Sequence, residues 1–401
     1  MESLIVLPVN LPTSSFRLTP MSPRDPKQPH RSASPLELFF DLVFVIAVSI
    51  AAVQLHHSLT ENHIAEGIVS YLMVFFAIWW AWMNFTWFAT SFDNDDWLYR
   101  VLTVVQMAGV LVLAAGIEPA FADKEFATLV LGYVVMRVAM VAQWVRASTS
   151  SEHRRTALTY AGGIAALQVL WVLWLLIPGG PAQGILFVVF AAAEIMIPVV
   201  AEKTGGTTPW NPHHITERYG LFTLILLGES LLASANAIIE ALQEDTALAP
   251  LISISVLTLV VTAALWWIYF WPPHHKAIGT LTNSLKYGYV HYFIFAAAGA
   301  FSAGIEVEID VLTNHSELGD VAASFTVTVP IAVFVLGIWF IAIKDNADRL
   351  VNTIVPVGAL LVLLDPLIPI PITLTAVVMV VVVAVLVVHR PLEAEHEKLT
   401  P

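Results

Sequence analysis

Long apolar segments constrain this chain more than any other feature. A helix needs about 20 apolar residues to cross the ~30 Å hydrocarbon core of a bilayer. Of the 401 residues, 58% are hydrophobic and only 12% are charged, whereas about 25% of the residues in a soluble domain are charged. This composition excludes a soluble enzyme and a nucleic-acid-binding protein. The absence of cysteine excludes thiol chemistry and disulfide bonds.

The apolar pattern predicts an all-α fold, a polytopic transmembrane helix bundle with about 12 spans. The basic residues predict its orientation, because Lys and Arg are retained on the cytoplasmic side of a membrane. With both termini cytoplasmic, nearly all 18 Lys and Arg residues fall on cytoplasmic segments of a bacterial inner-membrane protein. The predicted spans are 38–55, 67–90, 98–116, 126–145, 157–178, 182–201, 215–238, 249–271, 285–304, 321–343, 350–367 and 370–388.

The two ends of the chain differ from the rest in composition. Residues 1–35 are rich in proline, serine and basic residues, which predicts a disordered cytoplasmic tail. Residues 391–401 are expected to form a second cytoplasmic tail. The last two predicted spans are separated by a short proline-rich link, so they form either a hairpin or one broken helix.

The two halves of the chain resemble each other. The tetrapeptide Ala-Gly-Ile-Glu at 115–118 recurs at 303–306, and a Trp-Trp pair occurs at 79–80 and at 266–267. Because six predicted spans separate the copies, both copies have the same orientation in the membrane. The sequence therefore predicts two parallel six-helix repeats, 36–201 and 202–390.

Ionisable side chains inside the spans are candidates for function, because each costs a few kcal/mol at membrane depth and usually faces a cavity or a partner. Arg137 needs an anionic partner, for which Glu229 and Glu194 are the candidates. The favoured hypothesis makes Glu229 the carrier of a coupling ion; a buried structural ion pair is the alternative. The expected transport or substrate-binding residues are Glu229, Arg137, Glu194, His291, Asp41, Glu37, Glu217 and Arg218.

Two predicted cytoplasmic loops carry potential metal ligands. Asp93, Asp95 and Asp96 place three carboxylates within four residues, which suits a Mg²⁺ ion that holds a phosphate. The alternative is a cap for the third span. His213 and His214 precede the seventh span, and His213 is four residues from Glu217, a spacing that suits metal ligands on a helix. Polar helix ends at a membrane surface give the same pattern.

Several strings of this sequence resemble the bacterial low temperature requirement A family of membrane proteins. They are PLELFFDLVF at 35–44, FDNDDWLYR at 92–100, HITERYGLF at 214–222 and LGES at 227–230. The resemblance covers about residues 30–390 and implies a polytopic inner-membrane protein without implying an activity. The family-pattern positions are Glu37, Asp41, Asp93, Asp96, Glu217, Arg218 and Glu229.

The sequence leaves three functions open. The internal repeat and the charges at membrane depth favour an ion-coupled secondary transporter or permease. The aspartate loop and the aromatic segment 79–82 would suit a magnesium-dependent enzyme acting on a lipid or prenyl diphosphate. The third alternative is a non-catalytic membrane stress or cold-adaptation factor. Magnesium is the one cofactor that the sequence suggests. The expected partners are the lipid bilayer and a small-molecule or ion substrate, and no nucleic acid is expected. The sequence leaves open whether the protein forms an oligomer.

Overall fold

The computed structural model describes residues 18–28, 31–150, 152–244, 248–368, 370 and 372–392. Within these ranges the chain forms thirteen α-helices and no strand. The helices are α1 (Pro35–Thr60), α2 (Ile64–Phe92), α3 (Trp97–Ala115), α4 (Ile117–Ala122), α5 (Ala127–Ser150), α6 (Arg154–Trp174), α7 (Pro181–Gly205), α8 (Pro212–Glu244), α9 (Leu248–Phe270), α10 (Leu281–Leu312), α11 (Asp320–Ile338), α12 (Val351–Leu361) and α13 (Thr373–Val388).

Ten of these helices are long and apolar enough to cross a membrane, and shorter apolar helical segments follow at Val351–Leu367 and Thr373–Val388. Each predicted span corresponds to one of these helical segments. The prediction of an all-helical membrane bundle is therefore confirmed. The six-residue helix α4 was not predicted. The core is centred on α2 and α10, which have the largest buried shares, whereas α7 has the smallest.

The loops lie at two ends of the bundle, which we name by their residues. The amino end carries the start of α1 and the loops 93–96, 206–211 and 271–280. The opposite end carries the loops 61–63 and 313–319, which meet where the backbone N–H of Glu317 donates to the carbonyl of Thr60.

The N-terminal segment lies against the amino end of the bundle. The disordered tail that the sequence predicts for 1–35 stays a prediction, and arginines in the described part of this segment contact the end of α2. Arg24 Nη1 lies 3.3 Å from Asp93 Oδ2, and Arg31 Nη2 donates to the carbonyl of Ala89 at 2.8 Å. Cations are favoured at a helix C-terminus, where the last carbonyls lack partners within the helix. The described part of the tail therefore contacts the end of α2 through its arginines.

The last two helical segments form an antiparallel hairpin. The backbone N–H of Leu374 donates to Asp365 Oδ1 at 2.8 Å, and His389 Nδ1 lies 2.6 Å from Asp348 Oδ2. The end of the first segment therefore contacts the start of the second, and the start of the first contacts the end of the second. Of the two arrangements that the sequence left open, the described residues form the hairpin.

Two glycines allow neighbouring long helices to approach closely. A Cβ atom on Gly116 would lie less than 3 Å from the backbone of Leu129, at the contact of α3 with α5. A Cβ atom on Gly304 would lie less than 3 Å from the backbone of Thr326, at the contact of α10 with α11. Small residues at such contacts let helix backbones pack tightly in membranes.

Substituting Gly304 with alanine is expected to destabilise the protein by about 1–3 kcal/mol, because the added methyl group overpacks a contact with backbone that has to move. The measurement is unfolding of the purified protein in detergent. Gly162→Ala is the control, since a Cβ atom there has no neighbour within 4 Å. Equal stability of the two variants would contradict the close contact of α10 with α11.

Candidate functional site

A cluster of four charged or titratable side chains joins α1 to α8 near the amino end. We call Glu37, Asp41, His214 and Arg218 the amino-end cluster. Each helix contributes two residues that are four positions apart and therefore lie on the same helix face. All four residues are buried.

The start of α1 fixes the position of Glu37. Ser34 is the N-cap of this helix, with Pro35 following it, and its hydroxyl accepts a hydrogen bond from the backbone N–H of Glu37. Glu37 Oε2 in turn accepts from the backbone N–H of Ser34 at 2.8 Å, which completes a capping box. The other carboxylate oxygen, Oε1, lies 3.1 Å from Arg218 Nη1. Glu37 therefore both caps α1 and pairs with α8.

Asp41 lies one turn further along α1 and forms the strongest contact of the cluster. Its carboxylate accepts hydrogen bonds from Arg218 Nε at 2.9 Å and from Arg218 Nη2 at 2.5 Å. Trp82 Nε1 of α2 donates to the same carboxylate at 2.7 Å. A bidentate pair between Arg and a carboxylate is both stronger and more specific in geometry than a single hydrogen bond.

His214 completes the cluster from the first turn of α8. Asn211 orients this turn, because its side-chain oxygen accepts hydrogen bonds from the backbone N–H groups of His213 and His214. His214 Nε2 lies 3.2 Å from the carboxylate of Glu37. Two carboxylates, one arginine and one histidine are therefore buried in contact with each other between α1 and α8.

A second buried charge centre lies within the first half of the chain. Arg137 Nη2 of α5 donates to Glu194 Oε2 of α7 at 2.9 Å, and the two side chains are 1% and 0% exposed. Of the two partners that the sequence left open for Arg137, the described contact is with Glu194. The carboxylate also accepts from Trp80 Nε1, the Tyr133 hydroxyl, Gln168 Nε2 and Trp171 Nε1.

The structure does not bring the remaining membrane candidates together around Glu229. Glu229 is half-buried on α8, and none of the described contacts of Arg137, Glu194 or His291 is to its carboxylate. His291 instead lies among tyrosines, with Nε2 3.1 Å from the Tyr269 hydroxyl. Glu217 is exposed, although it directly precedes the buried Arg218 in the sequence.

The aspartate loop does not form a converging set of metal ligands. Asp93 pairs with Arg24, Asp95 with Arg100 at 2.7 Å, and Asp96 with Arg146. No group of three potential ligands that could hold a metal ion occurs among the described residues. The predicted magnesium site therefore has no assembled geometry here, because each carboxylate is drawn to a different arginine.

Asp96 performs the capping role that the sequence analysis kept as an alternative. Its side chain accepts a hydrogen bond from the backbone N–H of Tyr99 at the start of α3. Burial raises the pKa of Asp96, but the hydrogen bonds from Arg146 and from backbone N–H groups outweigh burial and hold the pKa below its usual range. In contrast, burial together with the charge of Glu37 raises the pKa of Asp93. Neighbouring carboxylates of one loop thus differ in their affinity for protons.

The predicted metal ligand His213 also lies apart from the amino-end cluster. Its ring stacks on that of His275, with the ring centroids 4.3 Å apart. This contact brings the loop 271–280 against the start of α8. No carboxylate joins them in a group of metal ligands among the described residues.

The sequence analysis missed a third group, at the opposite end of the bundle. We call His56, Glu306 and Asp310 the opposite-end cluster. His56 Nδ1 of α1 lies 3.1 Å from Glu306 Oε2, and Nε2 lies 2.6 Å from Asp310 Oδ2, both on α10. The signal in the sequence is the spacing of four between the two acids, which places them on one face of a helix.

A bundle of long apolar helices with paired charges buried between them is a multi-pass helical membrane protein. The family model described as bacterial low temperature requirement A protein (LtrA) matches residues 32–388, nearly the whole chain. The chain therefore belongs to the LtrA family, as its resemblance had suggested. It is also similar to an uncharacterized protein of Rhizobium meliloti strain 1021, with 28% identity over 263 residues, which cover 62% of this chain and 61% of that protein.

Proposed function

We propose that this protein is an ion-coupled secondary transporter of the bacterial inner membrane. Its two halves, 36–201 and 202–390, would be parallel six-helix repeats in a twelve-span topology with both termini in the cytoplasm. The observation that carries the proposal is that α1 of the first half is tied to the second half by titratable ion pairs near both of its ends. The amino-end cluster ties α1 to α8, and the opposite-end cluster ties α1 to α10.

In a transporter that works by alternating access, the ion pairs at the two ends of α1 would control which end of the bundle opens. Two halves that rock against each other break their contacts at one end of the bundle while the contacts at the other end hold. An ion pair that includes histidine weakens or strengthens with protonation near neutral pH. Proton exchange at the two clusters would therefore bias which end opens, and this is the coupling that the proposal assigns to them.

The close helix contacts lend support to the parallel repeat. Gly116 and Gly304 occupy equivalent positions in the two copies of the tetrapeptide. Each packs closely against the backbone of the next long helix. The tryptophan pairs differ, since Trp79 is buried whereas Trp266 is 43% exposed. Duplicated halves that retain helix contacts while their side chains diverge are consistent with these observations. The magnesium-dependent enzyme is the weaker candidate, because its three aspartates are held by different arginines.

Cysteine accessibility tests the proposal without knowledge of the substrate, because the chain contains no native cysteine. Ile215→Cys reports on the amino end and Ser302→Cys on the opposite end; both side chains are buried. In proteoliposomes we expect a change of pH to raise maleimide labelling at one position and lower it at the other. His56→Gln should raise labelling at Ser302→Cys, because it removes the contacts with Glu306 and Asp310.

The neighbouring histidine provides the matched control. His57 is exposed, so His57→Gln should leave labelling at both positions within about twofold of the parent variant. Labelling that does not change with pH, or that changes in the same direction at both positions, would contradict alternating access and favour a rigid scaffold.

A further inference from the structure

A polar pocket lies at the amino end of the bundle, between the start of α10 and the end of α11. It has a volume of about 130 Å³, and its walls come from the 3₁₀ turn His274–Ile278, from α10 and from the segment 341–346. A water molecule takes ~30 Å³ in the liquid, so the pocket has room for a group the size of a phosphate. The polar and charged side chains of its walls include Lys276, Asn283, Lys286, Asp345 and Asn346.

Positive charge dominates this pocket and its edge. Lys276 and Lys286 line it, and Lys344 follows the wall residue Ile341 by three positions. The Nζ atoms of Lys286 and Lys344 lie over the ring of Phe340, 4.4 and 4.3 Å from its centroid. The shared ring therefore holds two like charges close together, an arrangement that an anion beside them would stabilise.

These two lysines lie at the level expected for lipid headgroups. The predicted span 285–304 begins one residue before Lys286, and the predicted span 321–343 ends one residue before Lys344. The contact with one ring places both ammonium groups at a similar depth, at the boundary of the apolar region. Basic pockets between transmembrane helices at such a boundary bind the phosphates of anionic headgroups.

The wall beside Lys344 is a π-helical turn, Trp339–Ile343. The backbone N–H of Lys344 donates to the carbonyl of Trp339, five residues earlier, at 3.0 Å, whereas an α-helix joins residues four apart. Such turns are rare and occur frequently at functional sites. Phe340, the ring that both lysines contact, belongs to this turn.

An exposed apolar face of α11 leads away from the pocket. Val321, Phe325, Val329 and Val333 are exposed at intervals of four residues, and the exposed Phe340 follows seven residues later. Residues at these spacings lie on one side of a helix. In a membrane protein an exposed apolar side of a long helix faces the acyl chains. A lipid whose phosphate enters the pocket can therefore lay its chains along this face.

We propose that this pocket binds the phosphate group of an anionic phospholipid, with Lys286 and Lys344 as its cationic partners. The exposed face of α11 would contact the acyl chains. A free phosphate ion or a soluble phosphate compound offers the same charge, but the apolar face beside the pocket favours the lipid. The site does not rest on the proposed transport function, because no residue of the amino-end cluster or the opposite-end cluster lines it.

Native mass spectrometry of the full-length protein, released from detergent, tests the site. The probes are dioctanoyl phosphatidylglycerol, which is anionic, dioctanoyl phosphatidylcholine, which carries no net charge, and inorganic phosphate. We expect saturable binding of phosphatidylglycerol, about tenfold tighter than that of phosphatidylcholine. Lys286→Gln combined with Lys344→Gln should weaken it about tenfold or more, because each lysine attracts the anionic headgroup. Lys203→Gln is the matched control, since Lys203 is exposed at the same end of the bundle and outside the pocket.

Asp345→Asn keeps the proposal testable if the double variant fails to fold. Asp345 is the acid among the residues that line the pocket, and it is exposed. Removing its negative charge should strengthen the binding of phosphatidylglycerol several-fold, a gain that a loss of folding cannot mimic.

Two outcomes would overturn the proposal in different ways. Equal affinity for the two lipids, or unchanged affinity in both the double variant and Asp345→Asn, would show that the pocket does not recognise an anionic headgroup. Displacement of phosphatidylglycerol by inorganic phosphate at a similar concentration would assign the pocket to a soluble phosphate compound instead of a lipid.

Discussion

Replacing Glu194 with alanine is expected to lower the free energy of unfolding by about 3–5 kcal/mol, because it leaves the buried charge of Arg137 without its partner. Water does not reach this guanidinium, which is 1% exposed. Four further donors of the described network would lose their acceptor at the same time. The measurement is unfolding in detergent by heat or by titration with a denaturing surfactant.

A double-mutant cycle separates the pair from the rest of this network. Arg137→Met combined with Glu194→Gln removes both charges and keeps an acceptor oxygen. The double variant should therefore be more stable than Glu194→Ala. Glu61→Ala is the surface control, since the Glu61 side chain is 68% exposed, and its effect should stay within about 0.5 kcal/mol. If Glu194→Ala unfolds like the parent protein, the buried pair of Arg137 and Glu194 does not stabilise the fold, and this prediction is wrong.

Replacing Asp41 with alanine should lower the free energy of unfolding by a similar amount, about 3–5 kcal/mol, because it breaks a contact between the two halves. Arg218 is fully buried and would retain only Glu37 as an anionic partner. Trp82 Nε1 would also lose its acceptor. Unfolding in detergent measures the loss, and the same variant in the labelling assay is expected to expose Ile215→Cys.

Glu217→Ala is the informative control for Asp41→Ala. Both carboxylates belong to strings that the sequence shares with the LtrA family, so the sequence alone gives them equal weight. In the structure Asp41 is fully buried and bidentate, whereas Glu217 is exposed. Glu217→Ala should therefore change stability by no more than about 0.5 kcal/mol. Equal losses in the two variants would contradict the described geometry of the amino-end cluster.

Most residues of the candidate site could be predicted from the sequence, but which of these residues contact each other could not. Glu37, Asp41, Arg218 and His214 were all singled out from the sequence, although His214 was assigned to a metal site. Arg137 and Glu194 were correctly considered as partners. What the sequence did not indicate is that Asp41 and Arg218, 177 positions apart, form one contact.

The residues that the sequence analysis missed share one cause. The predicted spans ended at 55 and 304, where the apolar character fades, so His56 and Glu306 were left outside them. The helices continue to Thr60 and Leu312. Backbone hydrogen bonds within a helix do not depend on apolar side chains, so a helix extends past the apolar boundary and carries polar residues into its packed faces.

The sequence by itself determined that this chain is a membrane helix bundle and where the apolar parts of its long helices lie. The length of each apolar segment is matched to the bilayer, and a chain in lipid must satisfy its backbone hydrogen bonds within each helix. Only the tertiary structure decided which charges meet, because the partners lie 57, 177 and 254 positions apart. Their contacts depend on how closely the helices pack and on which faces they turn towards each other, and both are properties of the assembled bundle.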